Sequence, residues 1–125
     1  MPAPTPAPRG ALHDGVRFPA TFAFNDWKPI DVDTQAMFDL IADVQRCAGP
    51  IRIVGHTDER GGDIVNDRVA IARAGEIRRL FEQQGLDRHR MEIGSAGAAR
   101  PADGVDELPD RDARALNRRV TVQCD

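Results

Sequence analysis

The stretch Ile51-Arg52-Ile53-Val54-Gly55-His56-Thr57-Asp58 decides the fold of this chain of 125 residues. Its apolar run is short and nearly continuous, which is typical of a strand buried under helices on a sheet. The run ends in a glycine, two polar residues and a carboxylate, and open α/β sheets place their ligands beyond the ends of their strands. We therefore expect Ile51 to His56 to form a central strand, and Asp58 to place an exposed carboxylate at the mouth of the sheet.

An amphipathic helix is predicted before this strand. Apolar side chains recur there at the i, i+3, i+4 and i+7 spacing of one helix face. They are Met37, Leu40, Ile41 and Val44. Asp31, Asp33 and Thr34 are the candidate N-caps, and Gly49-Pro50 ends the helix.

A second, longer helix is predicted after the strand, from a cap at Asp63 to about Gln84, where Gly85 stops it. Three further strands are predicted, over residues 21–24, 91–96 and 119–123. A polar, proline-punctuated excursion at 97–116 precedes the last strand and has room for one short helix. The order βαβαββ predicts an α/β fold, a two-layer sandwich with two main helices packed on a small mixed parallel/antiparallel sheet.

Length and composition indicate a single domain. A chain of this length supports one core, with residues 1–15 as a Pro/Ala-rich linker and residues 16–125 as the domain. The net charge of -3 argues against nucleic acid as a partner, because binding to phosphates needs a basic face. Aromatic residues make up 5% of the chain, with one Trp and no Tyr, so no stacking platform for bases or sugars is expected. No apolar stretch approaches membrane-spanning length, so we expect no transmembrane segment in this chain.

The second helix carries the functional argument. On a helical wheel with Val69 at the origin, the predicted buried stripe contains Val65, Ala72, Ile77 and Leu80. Arg73 and Asn66 fall inside this stripe, whereas Ile71 falls on the solvent side. Burying an arginine without a partner is costly, so Arg73 must be paired or must reach a wet cleft. A salt bridge to Glu76 or Asp58 is one possibility. The other is a carboxylate site, which the helix N-terminus and the Asn66 amide favour.

The last strand adds a second arginine. Period-two alternation places Arg118 on the inward face with Val120, and Arg119 on the opposite face. If this strand runs antiparallel to the Ile51–His56 strand, Arg118 lies beside Asp58.

The same antiparallel topology brings Cys124 near Cys47. Two cysteines are too few for a disulfide framework and lack the spacing of metal ligands. Two unlinked thiols and a disulfide formed in an oxidising compartment both remain possible.

A hydrolase or metal site built on His56 and Asp58 is an alternative from another class. It needs further ligands or a base, and the other histidines, His13 and His89, fall in a tail and a loop. We expect no catalytic residue, no metal and no cofactor.

The ordered set of motifs resembles the OmpA-like peptidoglycan-binding domain. The motifs are Gly55-His56-Thr57-Asp58, Asn66, Ala72-Arg73-Ala74 and Asn117-Arg118-Arg119-Val120. The likeness covers about Val16 to Gln123 and includes Phe22-Ala23-Phe24-Asn25. It departs after the third strand, where the family reads Gly-x-Gly-Glu-x-x-Pro and this chain reads Ser95-Ala96-Gly97-Ala98-Ala99-Arg100-Pro101, so the conformation of that loop is not carried over.

The resemblance implies non-covalent binding of the peptidoglycan stem peptide through its meso-diaminopimelate residue. The residues implied to bind the ligand are Asp58, Arg73, Asn66, Arg118, Thr57 and Asn25. Asp58 would hold the ligand's ammonium and Arg73 its carboxylate. The expected setting is the periplasm, where the domain would tether an outer-membrane or envelope protein, membrane-anchored through a region outside this chain, to the cell wall. An OmpA-like interaction or oligomerisation domain that has lost peptidoglycan binding is the alternative.

Overall fold

The computed structural model describes residues 15–58, 62–97 and 108–124. The predicted linker over residues 1–15 lies, apart from Gly15, outside the described residues. In chain order the elements are β1 Val16–Arg17, β2 Thr21–Phe22, β3 Pro29–Ile30, α1 Thr34–Gln45, β4 Ile51–His56, α2 Asp63–Gln83, β5 Met91–Gly97, α3 Asp110–Asn117 and β6 Val120–Cys124. A single 3₁₀ turn, Arg88–Arg90, leads into β5.

The main sheet has four strands in the order β1-β6-β4-β5. β4 and β5 run parallel, whereas β6 is antiparallel to both β4 and β1. Apolar side chains of the sheet and of the two long helices form one core. They include Ile51, Ile53, Val120 and Val122 from the sheet and Leu40, Val44, Ile77 and Phe81 from the helices. The predicted α/β sandwich on a mixed sheet is confirmed, with the short helix α3 as its third helix.

Strand β4 and helix α1 follow the sequence pattern closely. β4 has the predicted bounds, Ile51–His56. Asp33 is the N-cap of α1, since its side chain accepts a hydrogen bond from the N–H of Ala36 at 3.0 Å. The predicted apolar stripe of α1 is buried except at Met37, which is half-buried against the core.

The N-terminal end of α2 differs from the prediction, whereas its C-terminal end agrees with it. The predicted cap at Asp63 is wrong, because Gly62 is the N-cap and Asp63 is already helical. Its carboxylate is instead placed in the first turn, where negative charge suits the positive end of the helix. At the other end Gly85 adopts a φ of +95°, the left-handed conformation that glycine takes most readily after a helix, as predicted.

The predicted first strand over residues 21–24 is only partly correct. The strand stops at Phe22 and pairs with Pro29–Ile30 in a separate two-stranded sheet. Residues 23–28, the β2–β3 loop, turn back on themselves, and the N–H of Asp26 bonds the carbonyl oxygen of Ala23 at 3.1 Å. The first strand of the main sheet is instead Val16–Arg17, which pairs with β6.

A disulfide ties the end of α1 to the last strand. The antiparallel register sets Cys124 opposite Ile51, next to the point where the chain leaves α1. Cys47 and Cys124 are joined, with their Cα atoms 6.0 Å apart. Of the two possibilities that the sequence left open, the structure therefore contains the disulfide.

None of the helices in the described part of the chain combines the length and apolarity that a membrane span requires.

Candidate functional site

The candidate site begins where β4 ends. Helix α2 crosses β4 at very close range, since a Cβ atom on Gly55 would lie 1.8 Å from the carbonyl oxygen of Ala70. The pairing of β4 with β5 is irregular between Gly55 and His56, as in a β-bulge. The N–H of Thr57 then bonds the carbonyl oxygen of Gly97 at 2.8 Å. The glycine and this irregularity together set the direction in which Thr57 and the next residue leave the sheet.

Asp58 is buried, with 2% of its surface exposed, so the predicted exposed carboxylate is wrong. Arg118 covers it, with Nη1 donating to Oδ2 over 3.1 Å. The Nε of Arg118 also donates to the carbonyl oxygen of Phe22 at 2.6 Å. A buried carboxylate needs a nearby opposite charge, and Arg118 supplies it. The pattern of β4 alone carries no sign of this cover, because Arg118 comes sixty residues later.

Arg118 reaches Asp58 from the end of α3 rather than from within the last strand. It is the C-cap residue of α3, and β6 starts at Val120. The predicted antiparallel pairing is confirmed and sets Val120 opposite Gly55, which brings Arg118 beside Asp58. Arg119, assigned to the opposite face, is buried, whereas Arg118 is only partly buried; the carbonyl oxygen of Arg119 accepts the N–H of His56 at 2.8 Å.

Arg73 of α2 is buried with 1% of its surface exposed, as its position on the helical wheel predicts. Its guanidinium donates to three backbone carbonyl oxygens, those of Asp26 at 2.8 Å, His56 at 2.9 Å and Ala23 at 2.9 Å. The ring of Phe22 lies 5.2 Å from its central carbon. Arg73 therefore fastens the β2–β3 loop to the end of β4.

Neither carboxylate that the sequence offered as a partner for Arg73 bonds to it. Glu76 pairs with Arg79 one turn along the same helix, and Asp58 pairs with Arg118. The guanidinium has five N–H donors, and the three carbonyl oxygens take one at Nε and one at each Nη. Among the described residues, one donor on each Nη is left for a ligand.

Charges of both signs meet at this site. Burial lowers the pKa of Arg73 to about 10, and the positive charge of Arg118 lowers it as well, while Asp58 and Asp26 raise it. Arg73 therefore remains protonated at neutral pH. Two guanidinium groups and two carboxylates thus act on one another here, so charges of both signs are available to a ligand.

All six predicted ligand-binding residues line one crevice. Its lining consists of Phe24, Asn25, Thr57, Asp58, Asn66, Val69, Arg73 and Arg118. The space between them is about 10 Å³, roughly what one water molecule needs. Prediction missed Phe24, because the alternation in residues 21–24 gives it the same face as the buried Phe22. It also missed Val69, although that residue is one helical turn from both Asn66 and Arg73 on the same face of α2.

The predicted stripe of α2 is partly displaced. Its buried residues are Asn66, Ala70, Arg73, Ala74, Ile77 and Phe81. Asn66 and Arg73 face inward as predicted and Ile71 is exposed as predicted, but Val65 is 46% exposed. A helix of 21 residues is about 31 Å long and a strand of six residues about 20 Å. Helix α2 is therefore longer than β4, and the exposure of Val65 places the overhang at its first turn.

The backbone of the β2–β3 loop presents Asn25 to the crevice. Asn25 has a φ of 57°, the left-handed conformation that asparagine tolerates better than most residues. The side chain of Asp26 accepts the N–H of Lys28 at 3.0 Å and closes the turn that follows.

The loop that departs from the family pattern has its own attachment to α2. Ser95 stands where the family has its first glycine, and its hydroxyl donates to Asp67 at 2.9 Å. The same hydroxyl accepts the N–H of Gly97 at 3.0 Å. Residues 98–101 lie outside the described residues, so this attachment is described only up to Gly97.

The described part of the chain offers no further ligand for a hydrolase or metal site built on His56 and Asp58. His56 is buried, and its Nε2 lies 3.0 Å from the hydroxyl of Thr121. No group of three or more His, Cys, Asp or Glu side chains suited to a metal occurs there. His89 is exposed in the turn before β5, and His13 lies outside the described residues.

The chain belongs to the OmpA family, whose sequence model matches residues 21–115. This family consists of binding and anchoring proteins, not enzymes.

Relatives cover nearly the whole chain. A peptidoglycan-associated lipoprotein of Pseudomonas aeruginosa is 33% identical over 120 residues, which is 91% of this chain and 68% of that protein. The crystal structure of the peptidoglycan-associated lipoprotein from Burkholderia pseudomallei has a TM-score of 0.68 and 26% identity, covering 85% of this chain and 88% of that one. The photosystem I P700 chlorophyll a apoprotein A2 of Gloeobacter violaceus is 28% identical over 94% of this chain but only 14% of its own length.

The chain is shorter than most of these relatives. It spans 14%, 38%, 26% and 41% of the first four curated proteins that it matches. The likeness therefore concerns one domain, and it does not extend to the activities of the whole relatives.

Proposed function

We propose that this domain binds peptidoglycan non-covalently through the meso-diaminopimelate of the stem peptide, and so tethers an envelope protein to the cell wall in the periplasm. The observation that carries the proposal is the set of three charges around one crevice: Asp58 and Arg73, which are buried, and Arg118, which is partly exposed. Relatives named peptidoglycan-associated lipoproteins support the choice of ligand.

The ligand matches the charges of the crevice. The free end of meso-diaminopimelate carries an ammonium and a carboxylate on the same carbon atom. Asp58 accepts the ammonium, while the carboxylate is held by Arg118 and by the two N–H donors of Arg73 that the loop carbonyls do not use. The side chains of Asn25, Thr57 and Asn66 bind the polar groups of the adjoining peptide.

Binding of the ligand in this way requires the ion pair between Asp58 and Arg118 to separate. The crevice has space for about one water molecule, so the ligand's charged groups fit only if a side chain moves. Arg73 is fixed by three carbonyl oxygens, whereas the side chain of Arg118 is 17% exposed and has a path to solvent. A zwitterion gives both separated partners a new opposite charge, so neither is left buried and unpaired.

Co-sedimentation with insoluble peptidoglycan tests the proposal. The wild-type protein should sediment with the cell wall, and Asp58→Asn should abolish this, because the ligand ammonium loses its counter-charge at a cost of about 2–5 kcal/mol. Asp39→Asn on the exposed face of α1 is the matched control and should sediment like the wild type. If the wild-type protein stays in solution, the domain is instead an interaction or oligomerisation domain that has lost peptidoglycan binding.

A further inference from the structure

Two aromatic side chains stand exposed on the β2–β3 loop beside the crevice. Phe24 lines the crevice and is 45% exposed. Trp27, the sole tryptophan of the chain, is 48% exposed. Burial of aromatic rings stabilises a fold, so core packing does not explain why two large rings on one short loop remain about half exposed. Composition predicted no stacking platform, whereas the structure presents one candidate next to the proposed ligand.

The backbone on both sides of Trp27 is held in place. Arg73 donates to the carbonyl oxygens of Ala23 at 2.9 Å and Asp26 at 2.8 Å. The side chain of Asp26 accepts the N–H of Lys28, so a closed turn surrounds Trp27. A ring presented on a fixed backbone loses little conformational entropy when a ligand packs on it.

Trp27 lies within reach of a sugar attached to a peptide in the crevice. The carbonyl oxygen of Asp26 is 2.8 Å from the Nε of Arg73. Standard backbone geometry then places the Cα of Trp27 within about 6 Å of that nitrogen. In peptidoglycan, two amino acids and a lactyl group separate diaminopimelate from the sugar, which is roughly 10 Å of extended chain. The indole and the sugar can therefore meet while the zwitterion remains in the crevice.

We propose that Trp27, together with Phe24, forms a saccharide subsite that packs against an N-acetylated amino sugar of the glycan strand. The inference rests on the proposed function, since it takes the stem peptide as the group in the crevice. A pyranose ring presents C–H groups on one face, which pack on the apolar face of the indole. The indole N–H can donate to a hydroxyl or acetamido oxygen. The domain thereby prefers peptides still attached to glycan over peptides released from it.

Two soluble ligands separate this subsite from the crevice. One is the tripeptide L-Ala–D-Glu–meso-diaminopimelate, and the other is the same tripeptide on its N-acetylglucosamine–N-acetylmuramic acid disaccharide. The wild-type protein should bind the disaccharide peptide about 3- to 10-fold more tightly. Because Trp27 is the only tryptophan, intrinsic fluorescence reports on the subsite directly, and its emission should shift to shorter wavelength with the disaccharide peptide alone.

The variant Trp27→Ala should remove the difference between the two ligands and leave the affinity for the tripeptide unchanged. Phe38→Ala on α1, where the ring is 46% exposed, is the matched control and should retain the difference. Equal wild-type affinities for the two ligands would overturn the subsite. An equal loss of both affinities in Trp27→Ala would overturn it as well, because Trp27 would then only support the loop. If the tripeptide itself fails to bind, the proposed function is wrong and the subsite with it.

Discussion

Arg118 and Asp58 form an ion pair at the end of the central strand, with Nη1 and Oδ2 3.1 Å apart. The carboxylate that we assign to the ligand's ammonium therefore already holds a cation of the protein. A ligand with a positive charge alone would replace Arg118 and leave it without a partner. The proposed preference for a zwitterion thus rests on this internal pair.

The ion pair between Asp58 and Arg118 should also contribute to the stability of the fold. Arg118→Ala removes the guanidinium that covers the buried carboxylate of Asp58, and we expect the free energy of unfolding to fall by about 3–5 kcal/mol. Adding Asp58→Asn should recover part of this loss, because the buried charge is then removed. Urea unfolding of the two single variants and the double variant measures the coupling, which should be about 2–3 kcal/mol. Strictly additive losses would show that the two side chains do not interact.

Arg73 is expected to be structural as well as ligand-binding. In Arg73→Lys, a single ammonium cannot reach three carbonyl oxygens arranged around a guanidinium, so buried acceptors lose their donors. The free energy of unfolding should fall by about 2–4 kcal/mol, and amide hydrogen exchange should accelerate in residues 23–28. Arg79→Lys on the exposed face of α2 is the control and should leave the stability nearly unchanged. Unchanged exchange in residues 23–28 would contradict the role of Arg73 in holding this loop.

The contact between α2 and β4 permits no side chain at Gly55. A Cβ atom there would meet the backbone of Ala70 at 1.8 Å for the oxygen and 2.5 Å for the carbonyl carbon, so the helix would have to move. We expect Gly55→Ala to lower the free energy of unfolding by more than about 4 kcal/mol, or to prevent folding. Gly94→Ala on β5, where no described atom lies within 4 Å, should be nearly neutral in the same thermal or urea unfolding measurement. Similar stability of both variants would show that the helix does not lie this close to the strand.

The disulfide should stabilise the fold without affecting the crevice. It closes a loop of 77 residues, and the chain-entropy estimate for such a loop is about 4 kcal/mol. Reduction, or the pair of changes Cys47→Ser and Cys124→Ser, should lower the urea midpoint accordingly. Affinity for the tripeptide should persist, because Cys124 pairs with Ile51 at the end of β4 opposite to Asp58. Two titratable thiols in the oxidised, denatured protein would contradict the disulfide.

Helices and strands that carry their own periodic pattern of apolar residues could be predicted from the sequence. The apolar run of β4 and the apolar stripe of α1 are recognisable from the sequence alone. The helical wheel correctly placed Arg73 and Asn66 on the inward face of α2. β1 escaped prediction because two residues carry no periodicity, and its existence depends on pairing with β6 more than a hundred residues away. Val65 was placed wrongly because a wheel contains no information on where the sheet beneath a helix ends.

The partners of the buried charges could not be read from the sequence. The carbonyl oxygens that hold Arg73 belong to residues 17, 47 and 50 positions away, and every residue has a carbonyl group. The burial of Asp58 depends on Arg118, sixty positions later. The charged residues of the crevice could therefore be named from the sequence, whereas the pairing of Asp58 with Arg118 and the attachment of the loop to Arg73 could not.

Calorimetric titration of the wild-type protein with two tripeptides tests the central claim most directly. L-Ala–D-Glu–meso-diaminopimelate carries the zwitterion, whereas the same peptide with L-Lys carries the ammonium without the carboxylate. We predict that the diaminopimelate peptide binds at least about tenfold more tightly, because the lysine peptide leaves Arg118 unpaired after taking Asp58. Equal affinity for the two peptides, or tighter binding of the lysine peptide, would contradict the account.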